Sequence, residues 1–139
     1  MRLLDVSTLR TTEFFGDKIP PYAILSHTWG DHEVSFVDLE ERPAVGKAKA
    51  GYAKITKCCK KAAAHGFKWA WIDSCCIDKR SSAELSEAIN SMFRWYKRAQ
   101  ICYVFLSDVP HARDFPVDEF LGSRWFARGV CIVFPRAFA

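Results

Sequence analysis

No stretch of this 139-residue sequence stays apolar for long. Uninterrupted apolar runs are short, as at residues 101–106 (Ile-Cys-Tyr-Val-Phe-Leu), whereas a membrane-spanning helix needs about 20 residues. The start, Met1-Arg2-Leu3-Leu4-Asp5, reaches an acid before a signal-peptide core can build. These absences predict a cytoplasmic chain with no membrane partner. The six cysteines contain no CxxC spacing: Cys58-Cys59 and Cys75-Cys76 are adjacent, and Cys102 and Cys131 stand alone. Zinc ligands are usually separated so that both sulfurs face one ion, while neighbouring side chains point in different directions. The expectation is therefore no metal, with the thiols serving as small core hydrophobes in a reducing compartment. Internal repeats and low-complexity stretches are absent too. No nucleic-acid motif accompanies the lysines gathered at residues 47–68. The net charge of +4 is accordingly read as a solvated helix face rather than a nucleic-acid surface.

What the sequence does have is core material. Half of it is hydrophobic, too much for a disordered chain. Three segments read as strands: residues 22–26 after Pro20-Pro21, residues 67–72 after the helix terminator Gly66, and residues 101–106. A weaker strand is expected at 2–6. Two helices lie between them. One is predicted at 47–65, with Tyr52, Ile55, Cys59 and Ala62 inward and Lys54, Lys57, Lys60 and Lys61 largely outside that stripe. The other is predicted at 82–98, with Leu85, Ala88, Ile89, Met92, Trp95 and Tyr96 in phase. Ser81-x-x-Glu84 has capping-box spacing at its start. Residues 108–118, with Pro110 and Pro116, read as a loop.

The order strand, helix, strand, helix, strand predicts a single α/β domain, a three-layer fold with a mainly parallel sheet flanked by helices. Such sheets bind ligands in loops at the carboxyl ends of their strands, which singles out residues 26–31, residues 73–78 and the loop from Ser107 onward. The candidate ligand-binding residues are then Ser26, His27, Trp29, Gly30 and Asp31 after the first main strand, and Asp73 and Asp78 after the second. Each has a plainer reading: Trp29 as a lid on the core, His27 as a turn residue, Asp73 bonded to a backbone amide, Asp78 starting a turn. Gly30 would let the backbone turn sharply or approach a ligand. Nothing in the spacing of Asp73, Asp78 and His27 demands a metal.

Four blocks in those same places resemble the fungal heterokaryon-incompatibility (HET) domain family. They are Tyr22-Ala23-Ile24-Leu25-Ser26-His27-Thr28-Trp29-Gly30, then Trp71-Ile72-Asp73-Ser74-Cys75-Cys76-Ile77-Asp78-Lys79, then the helix ending Met92-Phe93-Arg94-Trp95-Tyr96-Lys97-Arg98-Ala99, and Ser123-Arg124-Trp125-Phe126-Ala127-Arg128-Gly129. The resemblance implies a signalling module of non-self recognition and programmed cell death, working through protein partners or self-association. It also implies a fold similar to the Toll/interleukin-1-receptor (TIR) superfamily, or flavodoxin-like, some TIR members of which cleave NAD. NAD is then an implied substrate, and a glutamate an implied catalytic group. Glu84 is a weak candidate for that role, and the helix cap explains it without any ligand. The family block carrying the comparable glutamate reads Arg-Gly-Trp-Thr-Leu-Gln-Glu. Here the chain reads Arg128-Gly129-Val130, with Phe134 at the glutamate position and Pro135 after it. The departure implies a divergent or truncated C-terminal block and a non-catalytic domain.

Overall fold

In the computed structural model, residues 1–109, 118 and 121–126 are described. The expectations for Cys131 and for the tail around Val130, Phe134 and Pro135 lie outside these residues, as does most of the loop predicted at 108–118. The described elements run β1 (Arg2–Asp5), β2 (Thr11–Glu13), β3 (Tyr22–His27), α1 (Phe36–Glu40), α2 (Pro43–Ala48), α3 (Gly51–Ala64), β4 (Trp69–Trp71), α4 (Ser82–Arg98) and β5 (Ile101–Phe105).

The strands form one sheet in the order β2-β1-β4-β3-β5. β3 pairs in parallel with both β4 and β5. β1 pairs antiparallel with β2 and with β4. The sheet is thus mixed, and the expectation of a mainly parallel one is corrected. Only five residues, 6–10, separate β1 from β2, far too few for the crossover that parallel neighbours require. Asp5 closes this hairpin by accepting the Ser7 and Thr8 amides. The hairpin's own polar strand, Thr11-Thr12-Glu13, carries no apolar alternation by which to recognise it.

Side-chain alternation places a helix on each face, as the three-layer expectation had it. Tyr22 and Trp71 point to α4: the Tyr22 hydroxyl donates to the Trp95 carbonyl, and Trp71 meets Trp95 and Tyr96 edge to face. Tyr103, His27 and Phe105 point to α3, where they meet His65 and Lys54. Leu3, Leu4, Ile24, Ile55 and Ile72 fill the space between layers. The five described cysteines are buried and free. Burial pushes the Cys59 and Cys102 thiols up to about 12, so they behave as hydrophobes rather than thiolates.

α4 matches its expected limits, and α3 is shorter than expected. Lys49 takes extended backbone, and Gly51 donates its amide to the His32 carbonyl, which splits α2 from α3. A Cβ on Gly51 would sit 2.7 Å from that carbonyl oxygen, so glycine is required there. α3 ends as predicted at Gly66 (φ +82°), where the Gly66 and Phe67 amides return to Ala63 and Ala62. Two further corrections concern helix faces. Ile89 is 65% exposed, on the flank of α4 rather than in the core. Lys54, expected to be solvated, is buried at 7% exposure.

α1 went unpredicted. It starts in a reciprocal capping box between Ser35 and Asp38. Asp38 is fully buried and also accepts from Arg42 and Lys49. Burial alone would raise its pKa, but the Lys49 and Ser35 contacts outweigh it and bring the carboxyl down to about 2. The folded value therefore lies below the unfolded one. The stabilisation is complete above the ordinary carboxylate range and is lost as pH falls through the folded value. Unfolding measured by urea across acid pH should show stability dropping between about pH 4 and pH 2, a slope that Asp38→Asn should flatten.

Candidate functional site

β3, β4 and β5 are mutually parallel, so the loops that follow them emerge at one rim of the sheet. The first two are joined there by direct contacts. His27 Nε2 lies 2.7 Å from Asp73 Oδ1, and the Trp29 indole N–H donates to Asp73 Oδ2 at 3.0 Å. On the other side of the imidazole, Lys54 Nζ is 2.7 Å from His27 Nδ1 and 2.5 Å from Glu33 Oε1. A lysine ammonium only donates, so Nδ1 accepts from it and the ring proton sits on Nε2, facing Asp73. The result is a chain of alternating charge and dipole, Glu33–Lys54–His27–Asp73–Trp29, which ties β3, α3 and the loop after β4 together. Burial alone would raise the Asp73 pKa. The His27 hydrogen bond, Trp29 and the nearby Lys79 charge outweigh it and hold the carboxyl below its usual value.

The structure places each predicted residue as follows. His27 is buried, and Asp73 is paired with side chains rather than with a backbone amide. Trp29 is 40% exposed and carries the Lys79 ammonium over its ring, so it is no lid on the core. The Gly30 amide donates to Glu33 Oε1, and its backbone stays outside the left-handed region. Asp31 is exposed at the edge of a neighbouring cleft. Ser26 faces the opposite side of the sheet, where its hydroxyl accepts the Trp125 indole N–H at 2.9 Å. That contact docks the Ser123-Arg124-Trp125 block, which Asp108 also holds by accepting from the Ser123 hydroxyl and the Arg124 amide.

Asp78 joins a separate cluster. It accepts from Arg80, starting the turn as its plainer reading had it, and donates its amide to Glu84 Oε1. Glu84 also takes both guanidinium contacts from Arg2, at 3.2 and 3.1 Å. The expected capping box is therefore half formed. Ser81 accepts the Glu84 amide, but the Glu84 carboxylate goes to Arg2 and Asp78 instead of back to Ser81. This separates Glu84 from the His27–Asp73 pair.

Sequence reasoning missed Glu33, Lys54 and Trp125 as parts of the rim, while Asp108 falls in the loop it singled out after the third strand. Lys54 left a signal, since it lies in phase with buried Cys58 and Ala62 at four-residue spacing. Glu33 left none. No described helix is long and apolar enough to cross a membrane. No cluster that could hold a metal occurs among the described residues.

A sheet whose three parallel strands deliver polar loops to one rim, with a helix on each face, defines an α/β domain with a rim site. The family model "Heterokaryon incompatibility protein (HET)" matches residues 22–128, which take in the first three blocks and all but Gly129 of the fourth. The chain belongs to the HET family. It is similar to Vegetative incompatibility protein HET-E-1 of Podospora anserina, at 50% identity over 141 aligned residues. That match covers 93% of this chain and 10% of the relative, so the chain spans about a tenth of the relative's length. No solved structure matches it.

Proposed function

We propose that this chain is a signalling domain of fungal heterokaryon incompatibility, which acts in the cytoplasm and promotes programmed cell death when brought together with a protein partner or a second copy. The observation that carries this reading is the family match over residues 22–128, supported by the incompatibility protein to which the chain is similar. The TIR-like or flavodoxin-like arrangement belongs to the same proposal. It is supported by the order β4-β3-β5, which places the first parallel strand between the second and third, as in flavodoxin-like sheets.

A non-catalytic domain is favoured over NAD cleavage. A carboxylate that stabilises an oxocarbenium-like centre must be free to face the ribose. Both Glu84 oxygens are engaged by Arg2 and the Asp78 amide, and Phe134 stands where the family resemblance puts a glutamate. The NAD-cleaving reading rests on the polar residues Asp73, His27 and Trp29 gathered at the rim. A fluorescent NAD analogue incubated with concentrated protein separates the two, and no turnover is expected.

The signalling reading is tested by fusing the chain to a drug-controlled dimeriser in a filamentous fungus. Adding the dimeriser should arrest growth and kill cells. Asp73→Ala, expressed at equal level, should weaken the response strongly. Survival of cells holding abundant, folded, dimerised wild-type protein would overturn the proposal.

A further inference from the structure

α4 carries an apolar surface that the core does not use. Ile89 and Phe93, one turn apart, are 65% and 69% exposed. They widen a row that belongs to the core, because half-buried Leu85, Met92 and Tyr96 lie beside them at three- and four-residue spacing. Exposed Phe15, in the loop after β2, shares a cleft with Glu87 and Arg94 of the same helix. Single exposed apolar residues are common, whereas several grouped on one helix mark a surface for a partner. The helical period that pointed Ile89 inward therefore has a second meaning: the apolar stripe of α4 is wider than the sheet covers.

The charges beside this stripe say what covers it. α4 is acidic in its first half, with Glu84 and Glu87, and basic in its last turns, with Arg94, Lys97 and Arg98. That polarity suits the helix's own dipole. It also makes the helix complementary to a second copy of itself. An antiparallel α4, related by a two-fold axis midway between Ile89 and Phe93, sets each copy's Ile89 against the other's Phe93. Glu87 and Arg94 are two turns apart, so they share one flank of the helix. They lie on either side of that axis at nearly equal distances, so each copy's Glu87 comes beside the other's Arg94. A parallel pairing would instead put like charges together.

Both charges are available for this. The Glu87 side chain is more than half exposed, and its described ion pair is a 3.8 Å contact with the Met1 ammonium. Arg94 is exposed and bonds within its own turn to Ser91. One helix face is smaller than the roughly 20–30 residues a side of a standard stable interface. The contact should then be weak, as suits a domain that acts when copies are brought together.

We propose that two copies of this domain meet through the outer face of α4 in an antiparallel, two-fold arrangement, with Ile89 and Phe93 at its centre and Glu87–Arg94 pairs at its edge. The inference deepens the signalling reading by naming the surface a second copy uses, and it rests on that reading for its role in cells. The contact itself is measured without any death response, so association without death would sink the signalling reading alone.

Sedimentation velocity of the whole chain over a wide concentration range reads the contact. A reversible monomer–dimer equilibrium is expected. Phe93→Glu should weaken it about tenfold or more, as losing a central apolar anchor does. The thermal midpoint should barely move, because the side chain is exposed. Glu87→Arg and Arg94→Glu should each weaken association. Combined in one chain they should restore it, since the exchanged charges are again opposite across the axis. The proposal is overturned if the wild type stays monomeric at every concentration, which would leave this face to a different protein. It is equally overturned if folded Phe93→Glu associates as the wild type does, or if the double reversal associates no better than either single one.

Discussion

Replacing Lys54 with methionine should destabilise the domain by about 3–5 kcal/mol, the cost of leaving a buried charge without its partner. Lys54 and Glu33 are 8% and 10% exposed at their side chains, and the lysine is the only ammonium that the described contacts place on both Glu33 and His27. Methionine matches much of the lysine stem, so little packing is lost and the effect reports charge. Lys54→Met would strand the Glu33 carboxylate and remove the donor to His27 Nδ1. In thermal unfolding the midpoint should fall by roughly 10–15 °C. Adding Glu33→Leu to Lys54→Met should recover a large part of the loss, because a buried ion pair exchanged for apolar groups is often neutral. A Lys54→Met midpoint within a degree or two of wild type would mean that the lysine and glutamate are solvated.

The second large effect concerns the opposite face of the sheet. Trp71 is fully buried, with Trp95 and Tyr96 edge to face at centroid distances of 5.5 and 6.0 Å. Trp71→Ala should cost about 3–5 kcal/mol in urea unfolding, through lost contact and the cavity left behind. The indole N–H of Trp71 is buried without a partner among the described residues. Trp71→Phe should therefore be much milder, since it removes an unsatisfied donor along with part of the ring. Equal costs for the two substitutions would mean that ring packing against α4 contributes little.

These two residues show what could be read from the sequence and what could not. Trp71 sits in an aromatic strand between two helices of clear period, and its strand followed from that pattern. The parallel trio and α4 were legible for the same reason: long-period apolar repeats survive any tertiary context. The β1–β2 hairpin was only half legible, because three polar residues at a sheet edge carry no alternation. α1 escaped because it is five residues long and rests on a cap rather than an apolar stripe. Within the rim, Asp73 and the residues flanking His27 were found from their place after strands. Their partners were not. Lys54 lies 27 residues from His27, and Glu33 lies 21 from Lys54, so only the fold brings them together. The split capping box has the same cause. Ser81 and Glu84 have the spacing, but Arg2 competes for the glutamate from a strand 82 residues away.

Sulfur and charge illustrate a second limit. Composition could assign the cysteines to the core, because adjacent pairs suit no metal geometry and thiols are readily buried. The lysine cluster could not be resolved the same way. Lys54 and Lys57 are one turn apart, yet one is locked in a buried network and the other is exposed at a cleft.

Everything said of the rim depends on two loops meeting through one imidazole and one carboxylate. A double-mutant cycle on His27→Ala and Asp73→Ala, with stabilities from urea unfolding, measures that meeting directly. Coupling of about 1–3 kcal/mol is predicted for buried partners in one hydrogen-bond network. Costs that add to within about 0.5 kcal/mol would place the two side chains apart and contradict the account.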